Sequence, residues 1–398
     1  MTDRHPCATF GDILMPRLQA DSRALLNDPG LELTYNGRGA LLRACLEISH
    51  RRKRHILMPA YHCPSGITPA IHAGLHPVFY RIRRDLSIDY EDLYAKVDHN
   101  TAAILIIHYF GIASDIRPLQ ALRHDGIDVI EDWSHSFLQG SPPKLSGGDS
   151  DYRIYSFWKL VPSAVGGGLW RQRVAKDACR VPMNPPPLRE RVGRLKRLLE
   201  VALYHSDYQR AKWVFTQIES FRLGLRRARV DAESTPGVDI LPGESHYPFD
   251  EVLANCRMPG LARRMLESSS FSEISHQRRD NFNHYGQFLN DLQGMTVLYR
   301  VLPKATCPWV FPVLLNHRDE IDYRWRDMGV ALYTFGLYLH SALLQATDAS
   351  TIADAHYLSK NLLCLAVHQD LNVNHIDRSV VAINRYFGRH SRIDFPAP

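Results

Sequence analysis

The sequence lacks most of the features that mark secreted, membrane-spanning or metal-binding proteins. It has no run of about eighteen apolar residues, and its first residues lack the charged start and apolar core of a signal peptide. Its seven cysteines are scattered, without a C-x-x-C pair or the spacing of metal ligands. We therefore expect a reduced, cytoplasmic chain without a transmembrane segment or a metal site.

A strong charge imbalance is also missing. The 48 Lys and Arg residues outnumber the 42 Asp and Glu residues by six, which favours anionic ligands such as phosphates but is too little for a nucleic-acid-binding protein. No GxGxxG motif follows the first predicted strand, so a dinucleotide-binding protein is not indicated. With 398 residues, 45% of them hydrophobic, the chain can bury a large core in two or three domain-sized units.

Helix and strand patterns alternate over the first half of the chain. Apolar residues recur at helical spacing in GALLRACLEI from residue 39, and short apolar runs follow between further helical segments: HILMPAY, HPVFYRI, AAILIIHYFG and IDVIED. This pattern predicts a three-layer α/β/α domain with a mostly parallel sheet. Since ligands bind beyond the carboxyl ends of such strands, residues 61–63, 108–111 and 131–135 are the first candidates for a site.

The second half of the chain follows a different pattern. From about residue 303, strand and helix signals predict a smaller α+β C-terminal domain, and we divide the chain into residues 1–250 and 251–398. Residues 188–230 have apolar positions at helical spacing with arginines between them, which predicts two amphipathic helices with basic faces. Such faces either are solvated or contact a dimer partner, or they bind an anionic substrate, a carrier domain or a membrane surface.

One lysine stands inside an apolar run, RIYSFWKLVPSAVGGGLW from residue 153. A lysine there either reaches the surface from a strand end or is buried, paired or neutralised for a reason. Asp132, at the end of IDVIED, is either a helix cap or a carboxylate that keeps a pyridinium ring protonated, as in pyridoxal phosphate chemistry. Lys159 is an amine that could form a Schiff base with that cofactor, and Ser156 could bind its phosphate.

A second candidate for phosphate binding lies upstream. In TYNGRGALL, Gly37 and Gly39 flank Arg38 immediately before a predicted helix. The free N–H groups of a helix start and a nearby guanidinium suit an anion, although the same glycines can serve only as a cap.

Taken in chain order, these segments resemble a known family. TYNGRGALL, MPAYHCPSGITPAIHAGLHPVFY, EDWSHS, YSFWK and GGG look like the DegT/DnrJ type of pyridoxal-phosphate-dependent aminotransferases, a branch of fold type I that aminates keto-sugars. The resemblance is strong from about residue 35 to residue 170 and continues as scattered motifs to about residue 390. It implies the same large and small domains as the strand and helix patterns.

The resemblance also implies roles for individual residues. Lys159 matches the family's cofactor-bearing lysine, Asp132 the partner of its pyridine nitrogen, and His135 a residue near its phenolic oxygen. The segment NCRM, residues 255–258, is similar to a family motif that reaches the cofactor phosphate from the neighbouring subunit. The resemblance therefore implies a homodimer with shared active sites. The matches to phosphate-binding positions are Ser156, Arg38, Gly39, Asn255 and Arg257.

The sequence departs from the family at several points. The segment SFWK is two residues shorter than the usual SFHPTK, and AVGGG lacks the usual glutamate. The position of the aromatic residue that stacks on the cofactor ring falls on Cys63, which leaves His62 and Tyr61 as candidates. His108 matches a residue near the substrate mouth, but it is equally a strand-end histidine satisfied by the backbone.

The function implied by the resemblance is transamination. An amino-acid donor, glutamate or glutamine, would give its amino group to a keto or aldehyde acceptor, either a nucleotide-linked sugar or a natural-product intermediate. Two other hypotheses stay open at this point. The same residues suit elimination, decarboxylation or carbon–carbon chemistry on the cofactor, and the altered AVGGG segment is compatible with a non-catalytic ligand-binding descendant.

Overall fold

The computed structural model describes residues 6–14, 17–139, 144–145, 150–172, 182–205, 249–289, 292–346 and 348–388. The strands are β1 (Leu31–Thr34), β2 (His55–Pro59), β3 (His76–Tyr80), β4 (Thr101–Ile107), β5 (Asp128–Trp133), β6 (Leu138–Gln139), β7 (Lys144–Leu145), β8 (Tyr152–Ser156), β9 (Gly167–Arg171), β10 (Met295–Val297), β11 (Val310–Leu315), β12 (Leu332–Tyr333) and β13 (Leu362–Ala366).

The helices alternate with these strands in the first half of the chain and cluster in the second half. They are α1 (Phe10–Leu14), α2 (Ala20–Leu26), α3 (Gly37–Ser49), α4 (Pro64–His72), α5 (Tyr90–Ala95), α6 (Gln120–His124), α7 (Leu188–His205), α8 (Glu251–Ala254), α9 (Gly260–Ser268), α10 (Phe271–Phe288), α11 (Arg318–Asp327), α12 (Ser341–Ala346), α13 (Ala349–Asn361) and α14 (Val373–Tyr386).

Seven strands form one sheet in the order β1-β9-β8-β5-β4-β2-β3. The pairs among β3, β2, β4, β5 and β8 are parallel, and β9 runs antiparallel to both of its neighbours, β8 and β1. All seven residues of β4 are buried, as expected for an apolar strand covered on both faces. The α/β fold class with a mostly parallel sheet, predicted from the alternating pattern, is confirmed.

This topology gathers the candidate residues at one edge of the sheet. The parallel strands β2, β4, β5 and β8 end at the same edge, and β1 ends there too because it runs antiparallel to β9. In the ladder, Thr34 at the end of β1 pairs with Gly167, which pairs with Ser156 at the end of β8. The start of α3 therefore lies beside the turn that carries Lys159.

A second sheet is built from the C-terminal part of the chain. Its strands are antiparallel in the order β10-β11-β13-β12, and helices α10 to α14 accompany it. This is the α+β arrangement that the sequence predicts for the smaller domain. The boundary at residues 250 and 251 stays a prediction, and the strand-like pairing of Arg257 with Thr34 ties the segment after α8 to the first sheet.

Only the first of the two predicted basic helices lies within the described residues. In α7, Leu198 and Ala202 pack with α1 and Met265, whereas Leu188, Val192 and Leu195 are exposed. Residues 206–230, where we expect the second helix, lie outside the described residues. Among the helices that the structure describes, none is both long and apolar enough to cross a membrane.

Candidate active site

Lys159 lies in a single 3-10 turn that follows β8, with its amine directed at an aromatic ring. The turn spans Phe157–Lys159, and Phe157 is buried beneath it. The Nζ atom of Lys159 lies 4.6 Å from the centroid of the Trp309 ring. Burial lowers the pKa of the Lys159 amine, against the opposing charge of Asp132. This lysine therefore does not simply snorkel to the surface, and its lowered pKa suits a nucleophile or a base.

Asp132 and His62 share the surroundings of this amine. One carboxylate oxygen of Asp132 accepts a hydrogen bond of 2.7 Å from the amide of Ser134. Burial lowers the pKa of His62, and the nearby charge of Asp132 acts to raise it while that of Lys159 acts to lower it. The carboxylate of Asp132 thus lies close enough to influence the protonation of both the Lys159 amine and the His62 imidazole.

His62 has a nitrogen that the protein leaves unpaired. Its Nδ1 atom donates to the carbonyl oxygen of Cys63 at 2.7 Å, whereas its buried Nε2 atom has no hydrogen-bond partner among the described residues. A Cβ atom at Gly66 would lie 1.8 Å from Cε1 of this ring, so only glycine leaves room for the imidazole there. Because buried polar atoms are normally paired, the free Nε2 atom indicates a bound group.

His135 is held in an aromatic box next to Lys159. Its ring stacks on Trp309 at 4.5 Å between centroids and on Phe110 at 5.5 Å, and meets the edge of Phe335 at 4.7 Å. The amide of Phe110 donates to Nδ1 at 3.1 Å, so in the neutral ring Nε2 carries the proton. Burial and the charge of Lys159 hold the pKa of His135 well below its usual value. His135 is therefore a neutral hydrogen-bond donor through Nε2.

Gly37, Ser134 and Ser156 lie together where α3 begins, and we call this group the cradle. A Cβ atom at Gly37 would lie 3.3 Å from the hydroxyl oxygen of Ser134 and 3.4 Å from Cβ of Ser156. Two serines from neighbouring strand ends thus meet the first turn of α3, whose N–H groups lack partners within the helix. Hydroxyls and amides in this arrangement are suited to an anion such as a phosphate.

Arg38 and Gly39 lie in the same first turn but differ in their surroundings. Arg38 is half-buried. The amide of Gly39 donates to the Asn36 side chain at 2.9 Å, and a Cβ atom at Gly39 would lie 2.5 Å from the carbonyl oxygen of Ala254. The structure thus gives Gly39 a role in capping and close packing. Its contact with a phosphate stays a prediction, and Gly37 faces the cradle instead.

Two candidates from the strand ends have all their polar atoms satisfied by the protein. The Tyr61 hydroxyl donates to the Phe335 carbonyl, and its ring stacks on Tyr109 at 6.1 Å. His108 donates through Nε2 to Glu131 at 2.8 Å and accepts the Ser114 amide at Nδ1.

The position of these two residues bears on the alternatives that the sequence leaves open for them. Glu131 and Asp132 are adjacent in β5, so their side chains point to opposite faces of the sheet and His108 lies with Glu131, away from Asp132. The geometry favours the packing interpretation of His108 over a place at the substrate mouth. Of the two candidates for the cofactor ring, His62 has a free polar atom and Tyr61 does not.

Asn255 and Arg257 lie beside the strand that leads into the cradle. The Asn255 side chain donates to the carbonyl of Glu251 at 3.1 Å, and the exposed Arg257 pairs through its backbone with Thr34. Their expected reach into a neighbouring subunit's site stays a prediction.

The buried pair of Glu131 and His108 predicts that stability falls in acid. Burial by itself would raise the pKa of Glu131, but hydrogen bonds from His108 and Ser150 and the charge of Arg153 lower it to about 2. Because the folded-state pKa is depressed, this stabilisation is present above the unfolded value of 4.5 and is lost as the pH falls towards 2.

We expect Glu131→Gln to lower the free energy of unfolding by about 3 kcal/mol at neutral pH, because it removes the buried carboxylate charge that Arg153 and His108 share. The variant should also lose part of the acid dependence. Urea unfolding at neutral pH and at pH values down to about 3 measures both effects. If the free energy of unfolding of Glu131→Gln falls with decreasing pH as steeply as that of wild type, the lowered pKa of Glu131 is contradicted.

Comparison with known proteins supports the resemblance read from the sequence. Residues 33–169 match the DegT/DnrJ/EryC1/StrS aminotransferase family. The GDP-perosamine synthase of Vibrio cholerae is 27% identical over 136 residues, which cover 33% of this chain and 37% of that protein. The alignment thus spans little more than a third of that relative's length.

Two solved structures are similar over nearly the whole chain. PseC of Helicobacter pylori, an aminotransferase involved in pseudoaminic acid biosynthesis, has a TM-score of 0.65 at 16% identity, covering 97% of this chain and 99% of PseC. The putative sugar aminotransferase Spr1654 of Streptococcus pneumoniae, solved in its PLP form, has a TM-score of 0.66 at 14% identity, covering 98% of both chains. These likenesses establish the fold.

Proposed function

We propose that this chain, whose residues 33–169 match the DegT/DnrJ/EryC1/StrS aminotransferase family, is an aminotransferase that uses pyridoxal 5'-phosphate. One observation carries the proposal. The amine of Lys159, the carboxylate of Asp132 and the unpaired, buried Nε2 atom of His62 lie together at one edge of the sheet. Family membership supports the same conclusion independently.

The residues present fit this cofactor. Pyridoxal phosphate has four groups that need partners: an aldehyde that reacts with an amine, a ring nitrogen that pairs with a carboxylate, a phenolic oxygen that accepts from a neutral donor, and a phosphate. Lys159, Asp132 and His135 would be the partners of the first three groups, and the serines beside Gly37 would bind the phosphate. The free His62 nitrogen would then meet the ring or its substituents.

Each residue has a definite task in transamination. When bound, the cofactor withdraws electrons from the α-carbon of the amino donor. Asp132 would keep a proton on the ring nitrogen. Nζ of Lys159, with its lowered pKa, would take the proton from the donor's α-carbon and return one during the reverse transfer. Neutral His135 would donate from Nε2 to the phenolic oxygen without adding a charge to the site.

For the substrates, we propose glutamate or glutamine as donor and a ketone or aldehyde on a nucleotide-linked sugar or a related natural product as acceptor. The similar proteins include a GDP-perosamine synthase and an aminotransferase of pseudoaminic acid biosynthesis, which favours a sugar acceptor. The excess of six positive charges favours an anionic one.

We extend the proposal to a cytoplasmic homodimer. The NCRM segment of residues 255–258 lies beside the strand that leads to the cradle, where the family resemblance expects it to serve a neighbouring subunit. None of the six cysteines among the described residues forms a disulfide with another of them, which suits a reducing compartment.

The half-reaction with the amino donor tests the proposed function. Purified protein is loaded with pyridoxal phosphate and mixed with glutamate or glutamine in the absence of an acceptor. We expect the visible absorbance band of the bound pyridoxal phosphate to disappear. One equivalent of keto acid per bound cofactor should be released, and pyridoxamine phosphate should be recovered. Release of carbon dioxide would favour decarboxylation, ammonia without pyridoxamine phosphate would favour elimination, and no change in either donor would favour a ligand-binding descendant. Each of these results would contradict transamination.

A further inference from the structure

Arg278 is a buried arginine that binds neutral acceptors. It lies on α10 and is 1% exposed. Its guanidinium donates to the side-chain oxygen of Gln369 at 3.0 Å and to the backbone carbonyls of Trp309 at 3.1 Å, Lys159 at 3.3 Å and Pro308 at 3.4 Å. No ion pair joins it to a carboxylate within the described part of the chain. Burial accordingly lowers the pKa of Arg278.

Burial of a charge whose hydrogen bonds all go to neutral acceptors is costly, even though the charge of Asp370 acts to raise the pKa of Arg278. Taking a charged group out of water costs several kcal/mol, and neutral acceptors return only part of that amount. Two of the four hydrogen bonds of Arg278 go to the backbones of Lys159 and Trp309, which lie in distant parts of the chain. Its binding partners therefore point to a role in the site rather than in general packing.

The two carbonyls that Arg278 holds belong to the two residues of the amine–ring contact. Nζ of Lys159 rests over the ring of Trp309, and one guanidinium binds the backbone of both residues. A lysine side chain is a flexible stem of four carbons. The amine of Lys159 therefore stays in one place only if the backbone of the lysine and the ring that the amine contacts are both fixed. The same ring also stacks on His135.

Gln369 completes the arrangement. Its side-chain nitrogen donates to the carbonyl of Leu160 at 2.9 Å, and its oxygen accepts from Arg278. Two consecutive carbonyls, those of Lys159 and Leu160, are thus bound by two side chains that are also bonded to each other. The turn that carries Lys159 is fixed by residues of the second half of the chain.

We propose that Arg278 is a positioning residue that sets the amine of Lys159 against the ring of Trp309 by binding the backbone carbonyl of each. Gln369 supports it by orienting the guanidinium. The effect of Arg278 on turnover rests on the proposed function, whereas its effect on the position of the Lys159 amine does not.

The experiment compares Arg278→Lys with wild type and with Arg279→Lys. Lysine keeps the charge at position 278 but lacks the planar guanidinium that reaches all four acceptors. Arg279 is the matched control, because it also donates to backbone carbonyls, those of Pro303 and Thr306, but not to residues of the site. Trace acetylation with acetic anhydride across a pH series, read by peptide mass spectrometry, reports the reactivity of Lys159 in full-length protein without cofactor.

In Arg278→Lys we expect the acetylation midpoint of Lys159 to rise by about one pH unit, because the amine leaves the ring and regains water. Turnover should fall at least about tenfold with little change in the KM of the donor, since the amine is misplaced rather than the substrate site. Arg279→Lys should match wild type in both measurements. Gln369→Leu should shift the midpoint in the same direction by a smaller amount, and it tests the same contacts if Arg278→Lys does not fold.

An unchanged Lys159 midpoint in both Arg278→Lys and Gln369→Leu would overturn the proposal. A shift of the same size in Arg279→Lys would overturn it too, because the effect would then be a general loosening of α10. Failure of the proposed function is a separate result. Wild-type protein would then show no half-reaction with an amino donor, while acetylation would still report where the Lys159 amine lies.

Discussion

Lys159→Ala should lower turnover by about 10⁴-fold or more while leaving the fold intact. The substitution removes both the amine that would hold the cofactor and the base that would move the proton at the donor's α-carbon. Its structural cost should be modest, because Nζ contacts a ring face and the backbone carbonyl held by Arg278 remains. Single-turnover conversion of the donor, followed by keto-acid release, measures the loss.

The matched control is Lys360→Ala, which removes an exposed lysine from the end of α13. It should react as wild type does. A small primary amine added to Lys159→Ala should restore part of the proton transfer if the lysine acts as a base. Turnover in Lys159→Ala within tenfold of wild type would contradict the assignment of this residue.

Asp132→Asn should have the next largest effect, with turnover reduced about 10³-fold. The amide is close in size and can still accept from Ser134, but it carries no charge to hold a proton on a ring nitrogen. The negative charge of Asp132 also acts to raise the pKa of Lys159. Its removal should therefore lower that pKa further, which moves the acid limb of the pH–rate profile to lower pH.

The adjacent residue provides the comparison for this variant. Glu131→Gln makes the same change one position earlier in β5, on the opposite face of the sheet. Glu131→Gln should lower the free energy of unfolding. At pH values at which the variant is folded, its cofactor affinity and pH–rate profile should match those of wild type. Equal losses of turnover in Asp132→Asn and Glu131→Gln would mean that the strand as a whole is disturbed, and would contradict a specific role for Asp132.

The sequence alone was enough to predict the sheet and part of the site. Short apolar runs between helical segments predict parallel strands, and the ends of such strands meet at one edge. Asp132, His135, Ser156 and Lys159 all lie at or just after the carboxyl end of β5 or β8, so their proximity in the structure was predictable from local pattern. The serine of EDWSHS that completes the cradle, Ser134, has the same signal, and the resemblance to the family did not single it out.

Which way a strand-end side chain points was harder to predict. His108 follows β4 as His135 follows β5, yet its ring pairs with Glu131 and lies away from Asp132. Alternation along β5 separates Glu131 from Asp132, but which neighbour His108 joins depends on the conformation of the turn after β4. Tyr61 and His62 could not be separated for the same reason. The missing Cβ atom at Gly66 leaves space for the His62 ring and favours that residue, and the choice between the two stays a prediction.

The residues that could not be predicted belong to the second half of the chain. Trp309 directly precedes β11 and Arg278 lies on α10, and the local patterns of both segments indicate burial and nothing more. Their contacts with Lys159 join positions more than a hundred residues apart in the chain. Periodicity carries no information about such contacts.

The most direct test of the whole account is to find where pyridoxal phosphate attaches. Wild-type protein is incubated with the cofactor, reduced with borohydride and digested, and the modified peptide is identified by mass spectrometry. The account predicts one phosphopyridoxyl group per chain, on Lys159, and none at that position after prior exposure to glutamate or glutamine. Modification spread over surface lysines, with Lys159 unmodified, would contradict it.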